Sequence, residues 1–336
     1  MKRSLVLIIL FLAGYSSIKA QGDIGQLIKG STQDANYLVK GYVTPALNTI
    51  GFGLNQSWYN TAKTHKLIGF DLTITVSGIS IPTSDFTYRV ENSQLQNLTV
   101  IPATATGIDA PTIFGSSTAP KYQPTVLVAG NKIPSGLIID GAPGLDLKKE
   151  GLSFIPIPMV QLGIGLPKGT DLKLRFFPST KLGSDGSVSL FGIGVMHDVK
   201  QYIPGMKNLP FDLSAFVGYT TLKFDVNLDS SKPDQKANFS TSATTIQGLI
   251  SKKFSVLTLY GGLGYNFISS DLAVKGTYQL DNFGNSIKDP ISISNSQSGP
   301  RITAGLRLKF AIFTLHGDYT LQKYSAFTVG FGFAVR

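Results

Sequence analysis

A two-residue hydrophobic period, held over long runs, constrains this chain more than any other feature. At the C-terminus Phe327, Val329, Phe331, Phe333 and Val335 alternate with Thr328, Gly330, Gly332 and Ala334. The same alternation sets Phe70, Leu72, Ile74 and Val76 against Asp71, Thr73, Thr75 and Ser77. It recurs in "MVQLGIGL", "TDLKLRFF", "RITAGLRLKF" and "FTLHGDYTLQ". Side chains on a strand point alternately to its two faces, so each run has one apolar face and one polar or bare face. The runs approach the roughly 9 to 11 residues that a tilted strand needs to cross a bilayer.

Ahead of these runs, Lys2 and Arg3 precede the apolar stretch "LVLIILFLAG", and small residues end at Ala20. Residues 1–20 therefore read as a secretory signal peptide cleaved after Ala20. No later stretch approaches the about 20 continuous apolar residues of a membrane helix. The formal net charge of +10 would suit nucleic acid, but export argues against that partner. Cysteine is absent, which excludes a disulfide framework.

Residues 21–65 read differently. Ser31 or Thr32 can cap a helix with Asp34 in its first turn, and Tyr37, Leu38 and Tyr42 recur at helical spacing. From Lys66 onward the period is that of strands. The links "PKG" at 167–169, "KKFS" at 252–255 and "FA" at 310–311 are short and share one side, whereas those beginning at 178, 229 and 279 are longer, polar and opposite. The links at 197–210 and 323–325 depart from that asymmetry, which is that of an outer-membrane barrel. Ten strands are clear, at 67–77, 156–166, 170–178, 186–197, 211–228, 237–251, 256–277, 299–310, 312–323 and 326–335. "FTYRVE" and "TVLVAG", within 79–155, offer one more pair. The expectation is an all-β, transmembrane antiparallel β-barrel of about 12 strands, with 10 and 14 the neighbouring even counts, plugged by a short N-terminal helical segment. Its parts are the signal peptide (1–20), the plug (21–65) and the barrel (66–336), placed in the cell outer membrane.

The stretches "GFGLNQSWYNTAKTHKLIGFDLT" at 51–73, "MVQLGIGLPKGTDLKLRFFP" at 159–178 and "HDVKQYIPGMKNLPFDLSAFVGYT" at 197–220 resemble a largely uncharacterised family of outer-membrane barrels from Bacteroidota. More distantly, the layout is similar to long-chain fatty-acid transporter barrels, whose lumen holds an N-terminal helical hatch. That likeness implies passage of a hydrophobic molecule.

Candidate sites lie on the polar faces. Lys173 and Arg175, with Arg301, Arg307 and Lys309, form an inward basic set suited to a carboxylate or phosphate head. The competing reading pairs them with Asp71, Asp171 and Asp318. His316 and Asp318 share their face with Thr314, but residues two apart on a strand are about 7 Å apart, too far for a catalytic relay. His65, His197 and His316 lack metal-ligand spacing. Neither metal, cofactor nor enzyme activity is expected. Tyr37, Tyr42, Trp58 and Tyr59 either line a hydrophobic path or anchor the plug. Tyr260, Tyr265, Tyr319 and Tyr324 suit aromatic girdles at the membrane interfaces. The first functional reading is a passive, porin-like channel or transporter for a small hydrophobic or anionic amphipathic molecule. The alternatives are a structural or adhesive barrel with a sealed lumen and ligand-binding outer loops, and an outer-membrane hydrolase.

Overall fold

The computed structural model describes residues 31–128, 131–182, 186–229, 231–279 and 286–335. The signal segment expected at 1–20 lies outside them. One helix, α1 (Thr32–Leu54), is followed by a chain of strands. Ten of these close into an antiparallel barrel: β1 (Phe70–Ser80), β8 (Phe154–Leu166), β9 (Thr170–Leu182), β10 (Gly186–Asp198), β11 (Asp212–Asn227), β12 (Lys236–Phe254), β13 (Leu257–Lys275), β16 (Ile291–Phe310), β17 (Phe313–Leu321) and β18 (Ala326–Val335). The seam is closed by β1, which pairs with β18 on one edge and β8 on the other. Closure leaves no edge whose N–H and C=O groups would face lipid unpaired.

The wall thus has ten strands, the lower of the expected counts. The two segments offered as a further wall pair within 79–155 are strands, β2 (Thr87–Glu91) and β5 (Lys121–Val128), but they lie off the wall and in different sheets. Together with β3 (Leu98–Val100), β4 (Gly107–Pro111), β6 (Asn131–Pro134) and β7 (Ile139–Asp140) they build a cap between β1 and β8. A further hairpin, β14 (Thr277–Gln279) with β15 (Ser286–Lys288), also stands outside the ring. The cap's apolar core contains Val90, Leu95, Leu98, Val100, Ala110 and Tyr122, and it closes around Leu38 of α1. A segment that buries itself on a helix has no need to enter the wall.

Outward residues form a continuous apolar belt. Ile74, Val160, Ile193, Val217, Ile246, Leu263, Ile302, Leu315 and Val329 are all exposed, and they lie on nine different wall strands. Among the described residues no helix is long and apolar enough to cross a membrane; the strands make the crossing. β17 and β18 are 9 and 10 residues long, enough for the belt alone. β12, β13 and β16 run for 19, 19 and 20 residues and rise beyond it.

In that upper part the alternation reverses. On β16 the outward residues are Ile302, Leu306 and Phe310 within the belt but Ser292, Ser294, Ser296 and Ser298 above it, while Ile291 and Ile293 turn inward. The inward residues pack with Phe239 and Val274 against Ala35, Val39 and Leu47 of α1. Lipid outside demands apolar-out; water outside and a helix inside demand apolar-in. The stretch 291–298, expected as loop, is strand for this reason.

Of the four girdle tyrosines, Tyr265 and Tyr319 face outward. Tyr260 and Tyr324 do not: both are buried, Tyr260 donating to the Asp318 carboxylate at 2.8 Å. Strand parity decides, since Tyr260 shares the inward face of β13 with Gly262, Asn266 and Ile268.

Candidate functional site: the plugged lumen

Helix α1 begins among the long loops and descends. Ser31 caps it, accepting from the Asp34 amide at 2.9 Å. The Asp34 carboxylate accepts from the Gln96 and Asn97 amides of the cap at 2.6 and 2.8 Å. On the other side, Asn36 donates to the Pro290 carbonyl and accepts from the Ser292 amide at the top of β16. One orphan amide of the helix start, that of Asp34, and the backbone of the segments around it are thus satisfied. Tyr37 donates to the Arg89 carbonyl and Tyr42 to that of Pro143. These two expected plug residues therefore hold the cap, above the belt.

Midway down, Asn48 donates to the Tyr324 hydroxyl at 3.3 Å. Tyr324, from the β17–β18 turn, donates in turn to the Asp85 carboxylate of the cap and stacks on Phe52 with centroids 5.3 Å apart. At the lower helix end, unsatisfied carbonyls meet two wall arginines. Arg175 reaches the carbonyls of Leu54 at 2.8 Å and Gln56 at 2.6 Å. Arg301 reaches the Asn55 carbonyl at 2.7 Å and the Gln56 side chain at 3.0 Å. Cations at a helix C-terminus are favoured by its dipole, and charge-assisted bonds of this kind are about twice as strong as neutral ones.

Below the helix, Trp58 and Tyr59 enter slots that glycines leave open. Gly194 and Gly218 face each other across β10 and β11, and a Cβ on Gly218 would lie 2.7 Å from the Trp58 ring. Tyr59 lies over Gly262, where a Cβ would meet its hydroxyl at 2.2 Å, and donates to Gln247 at 2.7 Å. Trp58 and Tyr59 thus pack in the lower lumen with Met196, Phe216, Leu249 and Tyr260. Gly330 serves another purpose: its missing Cβ makes room for the His316 ring of the neighbouring strand.

The floor is ionic. The His65 amide donates to one Asp171 oxygen at 2.8 Å, and its Nδ1 lies 2.8 Å from the other. The His65 Nε2 lies 3.4 Å from Asp71, and Lys173 lies 3.8 Å from Asp71. Arg307 lines the same place, where the remaining space is about 10 Å³, room for about one water. A larger concavity, about 370 Å³, is lined mainly by outward-facing residues of the wall, among them Ser242, Thr244, Phe267 and Ser296.

The seven expected lumen residues therefore fall into separate groups. Arg175 and Arg301 grip the plug. Lys173 and Arg307 belong to the floor. Lys309 donates to the Ala334 carbonyl at 2.8 Å, Asp318 accepts from Tyr260, and His316 is buried beside Gly330. Thr314, His316 and Asp318 share a face without any hydrogen bond between them among the described residues. Among those residues no group of His, Cys, Asp and Glu has the arrangement to hold a metal. Asp34, Asn36, Asn48 and the Gly194–Gly218 pair were not foreseen as functional; only Asp34 carried a signal, as a first-turn acid.

Among solved structures, the chain is similar to Ail, the attachment invasion locus protein of Yersinia pestis, in complex with sucrose octasulfate. Identity is 8%, over 80% of this chain and 99% of that one, with a TM-score of 0.28. It is also similar to the translocator domain of the autotransporter NalP from Neisseria meningitidis, at 10% identity over 91% and 98% of the two chains and a TM-score of 0.29. A loop-deletion mutant of OmpT, an outer membrane protein of Vibrio cholerae, matches at 11% identity over 79% and 97%, with a TM-score of 0.25. A search of curated proteins finds no match. One family match spans residues 1–335, and the chain belongs to that family, described as a family of unknown function (DUF6588).

Proposed function

We propose that this protein is an outer-membrane barrel sealed by its own N-terminal segment, which serves to hold a rigid cap at the cell surface. One observation carries the reading: the wall arginines Arg175 and Arg301 spend their donors on the carbonyls of the plug at Leu54, Asn55 and Gln56. Donors committed in this way are not available to an anionic ligand. The apolar belt and the short links at one end support the outer-membrane placement, with the cap and long loops outside. The cap supports a contact role, since Val126, Val128, Ile133, Leu137 and Ile138 are exposed together on it, an amount of apolar surface that a free-standing domain normally hides.

Passage of a hydrophobic or amphipathic molecule would require the plug to leave, which means breaking the arginine contacts, the floor and the Trp58 slot together. The test is conductance and solute flux in planar bilayers and liposomes, comparing the mature chain with one lacking residues 21–65. A silent intact chain and a conducting deletion are expected. Steady flux of an amphipathic solute through the intact chain would overturn the sealed reading and restore the transporter.

A further inference from the structure

Among the described residues, the end of the barrel opposite the cap carries lysines without an ion-pair partner. Lys63 and Lys66 precede β1, Lys168 lies in the β8–β9 link, Lys207 in the β10–β11 link, and Lys252 and Lys253 close β12. All six are exposed, and none enters an ion pair among the described residues. Of the acids at this end, Asp71 and Asp171 are buried in the floor with His65 and Lys173, and Asp198 and Asp212 are half-buried and accept from the Lys200 amide and the Ser251 hydroxyl. At the cap end, by contrast, charges of both signs are interspersed and pair, as in Arg89 with Asp109 and Lys232 with Asp229.

Five of the six, all but Lys63, also stand near an exposed apolar side chain. Lys66 adjoins Leu67 and Ile68, which are 62% and 79% exposed. Lys168 follows Leu166, Lys207 precedes Leu209, and Lys252 and Lys253 lead into Phe254 and Val256, all exposed. These apolar residues continue the lipid belt to its lower margin. A lysine at such a margin lays its stem along the acyl region and presents its ammonium at headgroup level. Basic residues there attract anionic lipid, and the effect is confined to about a Debye length, roughly 8 Å in physiological salt.

We propose that this lysine rim binds the phosphate headgroups of anionic phospholipids in the leaflet that faces the short links. Six separate ammonium groups, each a point charge on a flexible stem, suit a mobile ring of lipids better than one shaped anion. The proposal rests on the membrane reading above.

The test is native mass spectrometry of the mature chain released from micelles doped with phosphatidylglycerol or with phosphatidylcholine of the same acyl chains. A several-fold excess of bound phosphatidylglycerol is expected. Lys168→Gln, Lys252→Gln and Lys253→Gln combined should lose it, while Lys121→Gln, Lys149→Gln and Lys275→Gln at the other end should keep it. Equal retention of the two lipids, or equal loss in both triple variants, overturns the rim. Abolition of the excess by millimolar inorganic phosphate would assign the site to free phosphate and overturn the lipid. Binding of polyglutamate without a phosphatidylglycerol excess would assign it to an acidic protein instead. Failure of the chain to enter bilayers at all would sink the membrane reading, a distinct outcome.

Discussion

The guanidinium of Arg175 lies 3.5 Å from the centre of the Trp58 ring, while its nitrogens hold the carbonyls of Leu54 and Gln56. One wall side chain thus closes the helix and covers the aromatic that follows it. Arg175→Leu would strip the Gln56 carbonyl of its arginine donor and leave that of Leu54 to the Thr220 hydroxyl alone, at 3.4 Å, and a buried carbonyl left without its donor costs about 1–3 kcal/mol. A lower unfolding temperature is expected, together with transient openings in planar bilayers that the unsubstituted chain lacks. An unchanged trace and an unchanged melting curve would show that the arginine does not hold the plug.

The Gly194–Gly218 slot makes a steric prediction. Gly218→Val brings a Cβ to 2.7 Å from the Trp58 ring and 2.8 Å from that of Phe216, and overpacking of this kind costs about 1–3 kcal/mol. Trp58→Ala in the same chain should restore much of that loss, so a double-mutant cycle in denaturant is the appropriate measurement. Additive losses would mean that the two residues do not share the slot.

Because the chain contains no cysteine, single cysteines report topology without background. Gln33→Cys, at the start of α1, should react with a membrane-impermeant maleimide in intact cells. Lys253→Cys should react only after the outer membrane is permeabilised. The reverse pattern would turn the barrel over.

Inside the cap, burial pushes the Tyr122 phenol up to about 12, against an unfolded value near 10. The folded cap keeps the proton that the unfolded chain releases, so this contribution is complete below about pH 10 and is lost as pH rises toward 12. Protease cleavage within 87–140 should therefore increase across that interval, in step with tyrosinate absorbance. Cleavage that stays flat while the absorbance rises would uncouple Tyr122 from cap stability.

How much of this could be read from residues alone depended on whether one solvent acted along a whole strand. β18 lies within the belt, so Phe327 to Val335 alternate in one phase, and its limits were legible to the residue. β16 changes surroundings midway; Ile291 and Ile293 point opposite to Ile302 and Leu306, and a single-phase reading ends at the reversal. Parity on β13 was available for Tyr260 and went unused. The inward basic residues were legible as well, because Lys173, Arg175, Arg301 and Arg307 all fall on polar faces. Their partners were not, since the carbonyls of Leu54, Asn55 and Gln56 have no signature in a sequence. The cap was hidden for a similar reason: Val90, Leu98 and Tyr122 pack on Leu38, more than fifty residues before the nearest of them.

The reversal on β16 has a mechanical meaning. Pushing the barrel outward would bring Ile302 and its neighbours into water, and drawing it inward would bring Ser296 and Ser298 into hydrocarbon. Either displacement meets a restoring force, so the strand works as a waterline. With α1 clamped to β16 through Asn36 and to the cap through Asp34, everything above that line rides at one fixed height over the membrane, as a mast does on a hull.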